Sequence, residues 1–263
     1  MLTYKTIEVE LKDKQATIWL NQPEYRNSLS PLMIDDLIKS IKWIDNNDEI
    51  MVIVIRGKGT SFCSGANINW MNDAGASDYK KNYSESKKLA ACFSAVYRTN
   101  KVVINMVHGH ALGGALGFIG AGDFTFALKT TVFGLPEVKL GLVPAVIAPY
   151  ILTRVKQTVL KFKIYTGKSF SSEEALQMDL IDGVFNTIDE MEIKSNELIE
   201  SISSVSPAAL KEAKKLMRQL NNNIVNPQNS KETVRIITEL KMSEEAKKRM
   251  SEFILSTGKK KNE

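Results

Sequence analysis

Cysteine and histidine are scarce in this chain, with two of each in 263 residues. Cys63 and Cys92 make no disulfide framework and have no metal-ligand spacing. With only His108 and His110 to add, a metalloenzyme would lack its ligand set, so no metal is expected. No apolar run reaches the roughly 18 residues that a membrane span requires. The opening Met1-Leu2-Thr3-Tyr4-Lys5 has no apolar stretch behind its charge. No secretory leader is therefore expected, and the cytoplasm is the default compartment. The chain also lacks an internal repeat, a long linker, an aromatic stacking platform and a recognised RNA-binding motif.

What is present is the composition of a globular protein, 43% hydrophobic and 25% charged. The length suits one large domain, or a core with a small appendage. A formal charge of +5 leans towards an acidic ligand (nucleotide, coenzyme A or nucleic acid), although a lysine-rich solvated surface explains it as well. The basic tail, residues 259–263, is expected to be disordered.

Residues 4–10 and 15–20 alternate apolar and polar around Asp13, as a β-hairpin does. Residues 31–46 carry apolar positions at helical spacing, with Ser30 as N-cap and Pro31 in the first turn. Residues 51–56 and 101–107 are β-branched runs suited to strands covered on both faces. Between them lie a loop and a polar helix over residues 80–98. Short strands are expected at 123–127, near 132–133 and at 184–186. The chain is otherwise mostly helical beyond Pro144, with helices over 206–221, 228–240 and 243–255. The pattern predicts an α/β core over 1–200 and a helical C-terminal region over 201–263.

Two segments carry candidate chemistry. One is Gly57 to Ile68, containing Phe62-Cys63-Ser64-Gly65-Ala66-Asn67-Ile68. The other is His108 to Gly117, containing Leu112-Gly113-Gly114-Ala115 and followed by Phe133-Gly134-Leu135-Pro136-Glu137. Each places small residues just after a buried strand, where backbone can approach a ligand closely. Gly113-Gly114 opens a helix, whose free N–H groups favour negative charge. Two such turns facing one oxygen would make an oxyanion hole. Glu137, behind Pro136 on a loop, is the candidate general acid/base.

In this order and spacing the segments resemble the crotonase (enoyl-CoA hydratase/isomerase) superfamily. The resemblance runs from about Tyr4 to Phe253 and includes Leu20-Asn21-Gln22-Pro23 and Asn27-Ser28-Leu29. It implies a ββα spiral core with a helical C-terminal region, assembled as a trimer or a hexamer. It implies an acyl-CoA thioester as substrate, with no cofactor beyond the coenzyme A that the substrate carries. The oxyanion hole then falls on the N–H groups of Ala66 and Gly114, and acid/base work on Glu137. Substrate contacts fall on Arg26, Ser64, Asn67, Ile68, Leu112, Gly113, Gly117, Pro136, Ala145 and Phe253. Ser256 stands where relatives often have a CoA-contacting lysine, and Lys259 is a possible substitute.

Typical hydratases of the family carry a second glutamate where this chain has Gly117. The run Gly141 to Tyr150 (GLVPAVIAPY) is similar to a methylglutaconyl-CoA hydratase-like branch that also lacks that acid. The resemblance thus implies a hydratase. The alternatives are a Δ3,Δ2-enoyl-CoA isomerase or a decarboxylase of the same fold, a silent scaffold, or an RNA-binding relative using Lys211 to Arg218 and the basic tail. His108, His110, Cys63, Arg154 and Lys156 are expected to be structural. Asn67, although it falls at a substrate-contact position, is expected to fix its loop rather than touch substrate. Trp70-Met71 is expected in the acyl-pocket wall or the core.

Overall fold

A computed structural model describes residues 4–220 and 226–259, with side chains to 256. The first hairpin is β1 (Ile7–Lys12) and β2 (Gln15–Leu20), antiparallel, turning at Asp13 with φ +51°. Next comes α1 (Pro31–Asp45), whose N-cap Ser30 accepts from the Met33 N–H. One face of α1 buries Met33, Ile34, Leu37, Ile41 and Ile44. Each such side chain contributes about 1.5–3 kcal/mol by leaving water. That face and the Ser30 cap explain why this segment reads so clearly as a helix.

The chain continues through β3 (Val52–Gly57), α2 (Ile68–Ala76), α3 (Tyr79–Arg98), β4 (Val102–Val107), β5 (His110–Leu112) and α4 (Gly114–Ala121). It then runs through β6 (Phe124–Leu128), β7 (Val132–Gly134) and a 3-10 turn at Pro136–Leu140. After the turn come α5 (Ala148–Ile151), α6 (Gln157–Thr166), α7 (Ser172–Gln177), β8 (Gly183–Phe185) and α8 (Ile188–Ser203). The last helices are α9 (Pro207–Leu220), α10 (Pro227–Met242) and α11 (Glu244–Lys259).

Six strands form one sheet in the order β1-β2-β3-β4-β6-β8, parallel from β2 onward. All of β4 and most of β3 are buried, as their unbroken apolar runs require. β5 and β7 pair in a second small parallel sheet. The α/β architecture agrees with the sequence expectation. Two elements were not foreseen. Residues 68–76, read as loop, form α2. Residues 110–112, read as part of a turn, form β5. The C-terminal α10 and α11 return to pack on α2 and α3, which closes one side of the site.

Candidate active site

The loop between β3 and α2 is held on three sides. Asn27 is fully buried with φ +53°, and its Nδ2 donates to the carbonyls of Lys58 and Ser61 at 2.9 and 2.8 Å. His108 Nε2 pairs with the Gly59 carbonyl at 2.9 Å, and His110 Nδ1 lies 3.4 Å from Ser61 Oγ. Both histidines are therefore loop anchors. Further on, Cys63 N–H donates to His110 O and Leu112 N–H donates to Cys63 O, both at 3.1 Å. The loop thus runs beside β5. Cys63 itself is buried, and burial pushes its thiol up to about 12.

This clamp exposes one amide. Leu29 N–H donates to Gly65 O and Asn67 N–H donates to Leu29 O, at 2.8 and 2.9 Å. Ala66 sits between these bonds, and its own N–H donates to no backbone acceptor among the described residues. Gly114 is the first residue of α4, where an amide has no intrahelical partner. The two amides are neighbours. A Cβ built on Gly114 would stand 3.6 Å from Ala66 N, and one built on Gly65 would stand 3.5 Å from Gly114 N. Gly65 cannot carry a side chain, because that Cβ would also meet Leu112 O at 2.8 Å, at φ +93°. The approach of the two loops thus depends on glycine.

Glu137 occupies the first turn of the 3-10 segment, after Pro136. Leu142 N–H bonds back to the Glu137 carbonyl at 2.9 Å and fixes the turn. The carboxylate points at the Gly-rich bend, where a Cβ on Gly113 would lie 3.1 Å from its Oε1. Its Oε2 is buried without a hydrogen-bond partner among the described residues. Burial disfavours the charged form and raises the carboxyl to about 7, partly opposed by a hydrogen bond from its own backbone N–H. Glu137 is thus poised to gain and lose a proton near neutrality.

A cavity of about 580 Å³ joins these groups. Of the residues expected from sequence, Ser64, Ala66, Ile68, Leu112, Gly113, Gly114, Pro136, Glu137, Ala145 and Phe253 line it, as does Ser256. Three expected contacts lie elsewhere. Asn67 caps α2, accepting from the Trp70 N–H at 3.1 Å. Arg26 is exposed and away from the cavity lining, and its backbone carbonyl accepts from Ser64 N–H. Gly117 is buried, and a Cβ there would meet Phe93 at 2.6 Å and Ile147 at 2.7 Å. The space beside it is therefore filled by hydrocarbon. The Lys259 side chain lies outside the described residues, as do residues 260–263.

Sequence reading missed Leu89, Val146, Ile147 and Ile237 of the apolar inner wall, and the charged rim of Lys139, Arg249 and Glu252. Of Trp70-Met71, Met71 lines the cavity and Trp70 does not. A helical stripe through Leu89 and Phe93 was readable, but its direction towards the site was not. Arg154 bonds Asp182 at 2.5 Å and the Asp123 carbonyl at 3.1 Å, a structural tie. Lys156 is exposed at the start of α6. Among the described residues no cluster of three or more His, Cys, Asp or Glu could hold a metal ion. No described helix is long and apolar enough to cross a membrane.

The family model described as Enoyl-CoA hydratase/isomerase matches residues 10–260. The chain belongs to this family. It is accordingly an enzyme of the crotonase superfamily. The chain is 31% identical over 204 residues to the Bacillus subtilis protein named enoyl-CoA hydratase/isomerase YngF, covering 77% of each. It is 27% identical over 224 residues to the peroxisomal Delta(3,5)-Delta(2,4)-dienoyl-CoA isomerase of Arabidopsis thaliana, covering 80% of each. The solved enoyl-CoA hydratase of Bacillus halodurans superposes with a TM-score of 0.88 at 22% identity, over 94% of this chain and 99% of that one. That last likeness is one of fold.

Proposed function

We propose that this family member is a hydratase that adds water across the C2–C3 double bond of a 2-enoyl-CoA thioester. The thioester oxygen accepts from Ala66 and Gly114 N–H, which stabilise the charge that builds as the enolate forms. Glu137, ionised, takes a proton from water as the water oxygen bonds to C3. It then returns that proton to C2, so one carboxylate serves twice on one face. The observation that carries this reading is the buried Glu137 Oε2, unpartnered among the described residues, in the same cavity as two amides that donate to no described backbone acceptor. The test is turnover of a 2-enoyl-CoA by wild type and Glu137→Gln. The variant should lose on the order of 10²–10⁴-fold in kcat and keep its affinity for the thioester. Normal hydration by the variant would refute the assignment.

A second reading is a Δ3,Δ2-enoyl-CoA isomerase. The packing of Phe93 and Ile147 against Gly117 favours it, because a proton shuttle between C4 and C2 uses one carboxylate and no water. Supplying 2-enoyl and 3-enoyl thioesters separately distinguishes the two by product. Within the hydratase reading, the resemblance of residues 141–150 to the methylglutaconyl-CoA branch points to an acyl group of that kind. The trimer or hexamer reading is supported by exposed apolar side chains on α9 (Leu216, Met217, Leu220) and α6 (Phe162, Tyr165). The RNA-binding alternative is weakened because Lys214 and Arg218 turn inward. Lys214 pairs with Asp123, and Arg218 donates to the carbonyls of Arg98 and Thr99.

A further inference from the structure

A second cavity, of about 520 Å³, adjoins the active-site cavity and has no use in the scheme above. Val143, Pro144 and Ala145 line both. These three residues are therefore a common wall, one chain segment thick. The segment is neither helix nor strand, and its hydrogen bonds are local. Ala145 N–H donates to Val143 O at 2.8 Å, and Ala148 N–H donates to Pro144 O at 2.9 Å. Helix α10 borders both cavities as well. Ile237 lines the first, and Ile236, its neighbour in the chain, lines the second.

The common wall is hydrocarbon, and at Ala145 it presents only a methyl group. Beyond it the lining stays apolar. Ala148, Pro149, Leu152, Ile164 and Ile236 line the second cavity, and all five are half-buried. Its polar groups, Asn229, Glu232 and Thr233, come from the first two turns of α10. Among the described residues lining it there is no lysine or arginine. The first cavity, by contrast, has Lys139 and Arg249 at its rim. The second cavity is thus no continuation of a mouth suited to phosphates, and a carboxylate there would find no cation. A concave apolar lining with few polar groups fits an apolar ligand. Each methylene that leaves water to lie against it favours binding.

We propose that the second cavity is a subsite for the far end of a long acyl chain, whose tail crosses the wall of Val143–Ala145 beside Ile236 and Ile237. This rests on the enoyl-CoA reading and deepens it. The thioester end is held by Ala66 and Gly114. The chain lies first against Leu89 and Ile237, and its tail then lies against Leu152 and Ile164. A short branched acyl group, of the kind to which residues 141–150 point, ends in the first cavity and leaves the second unused. A long chain uses both.

The test compares crotonyl-CoA with 2-dodecenoyl-CoA on wild type, Ala148→Phe and Thr233→Phe. The two substitutions fill the second cavity from α5 and from α10, and neither residue lines the first. In the wild type, kcat/KM for the dodecenoyl thioester should equal or exceed that for crotonyl-CoA. In each folded variant the ratio of the two should fall by about tenfold or more. Calorimetric binding of the saturated pair, dodecanoyl-CoA and butyryl-CoA, should show the same selective loss. Hydration of crotonyl-CoA by a wild type that neither turns over nor binds the longer thioester overturns the tail site. An unchanged ratio in both variants, with both folded by their melting curves, overturns it as well. If sedimentation then shows that the variants change their oligomeric state, the cavity's occupant is a second copy of this chain. If the wild type hydrates neither thioester but binds dodecanoyl-CoA more tightly than butyryl-CoA, and the variants lose that difference, the hydratase reading fails and the tail site stands.

Discussion

Glu137 and Gly113 touch across the active-site bend. A methyl group on residue 113 would stand 3.1 Å from Glu137 Oε1, on a backbone with φ +49°. The carboxylate is thus placed by the absence of a side chain. Gly113→Ala should strain the bend by about 1–3 kcal/mol and displace the carboxylate, since the peptide carrying Gly114 N–H moves with it. Thermal melting and kcat should both fall, and kcat by more than the loss of folded protein explains.

The raised carboxyl of Glu137 has a stability consequence. An acid that moves from 4.5 in the unfolded chain to about 7 in the fold binds its proton more tightly when folded. The cost of ionising it is absent below about 4.5, grows between the two values, and is complete above 7. It amounts to about 3 kcal/mol at 1.36 kcal/mol per pH unit. Glu137→Gln should therefore melt higher than wild type at pH 8.5, with the gain shrinking towards pH 5. Melting curves across that range check it.

The same carboxyl sets the rate profile. Water addition needs the ionised form, so kcat/KM for a 2-enoyl thioester should rise with pH and level off above about 7. A profile flat from pH 5 to 9 would show that another group carries the proton.

At Gly117 the expected outcome is steric. Gly117→Ala should cost about 1–3 kcal/mol by overpacking, because its methyl meets Phe93 at 2.6 Å and Ile147 at 2.7 Å. Combining it with Phe93→Leu should recover part of the loss. A double-mutant cycle by denaturant titration measures the coupling.

Lys241 runs opposite in sign to Glu137. Burial lowers it to about 8, so the folded state carries the cost of its charge fully below pH 8. That cost disappears above the ordinary lysine value of 10.5. Lys241→Met should stabilise the protein at pH 7 and lose that advantage towards pH 10.5, as read by chemical denaturation.

Local signals in the sequence were enough for the hairpin at Asp13, the Ser30 cap and the strands β3 and β4, because alternation, capping and β-branched runs act within a few residues. The paired amides were legible as glycines after strands, and Glu137 as an acid behind a proline. What escaped depends on distant partners. β5 is three residues long and exists because Val132–Gly134 and Cys63 pair with it. α2 carries Gly75 in its last turn, where the close approach of Lys241 O, more than 160 positions away, leaves no room for a side chain. Nor could the sequence near Gly117 reveal that Phe93 and Ile147 fill the adjacent space.

The most direct measurement is a crystal structure with a bound, unreactive acyl-CoA. The thioester oxygen should lie about 2.7–3.1 Å from both Ala66 N and Gly114 N, with C2 and C3 facing Glu137. A thioester carbonyl bound away from those amides, or with Glu137 on the far side of the cavity from C2, would contradict the mechanism.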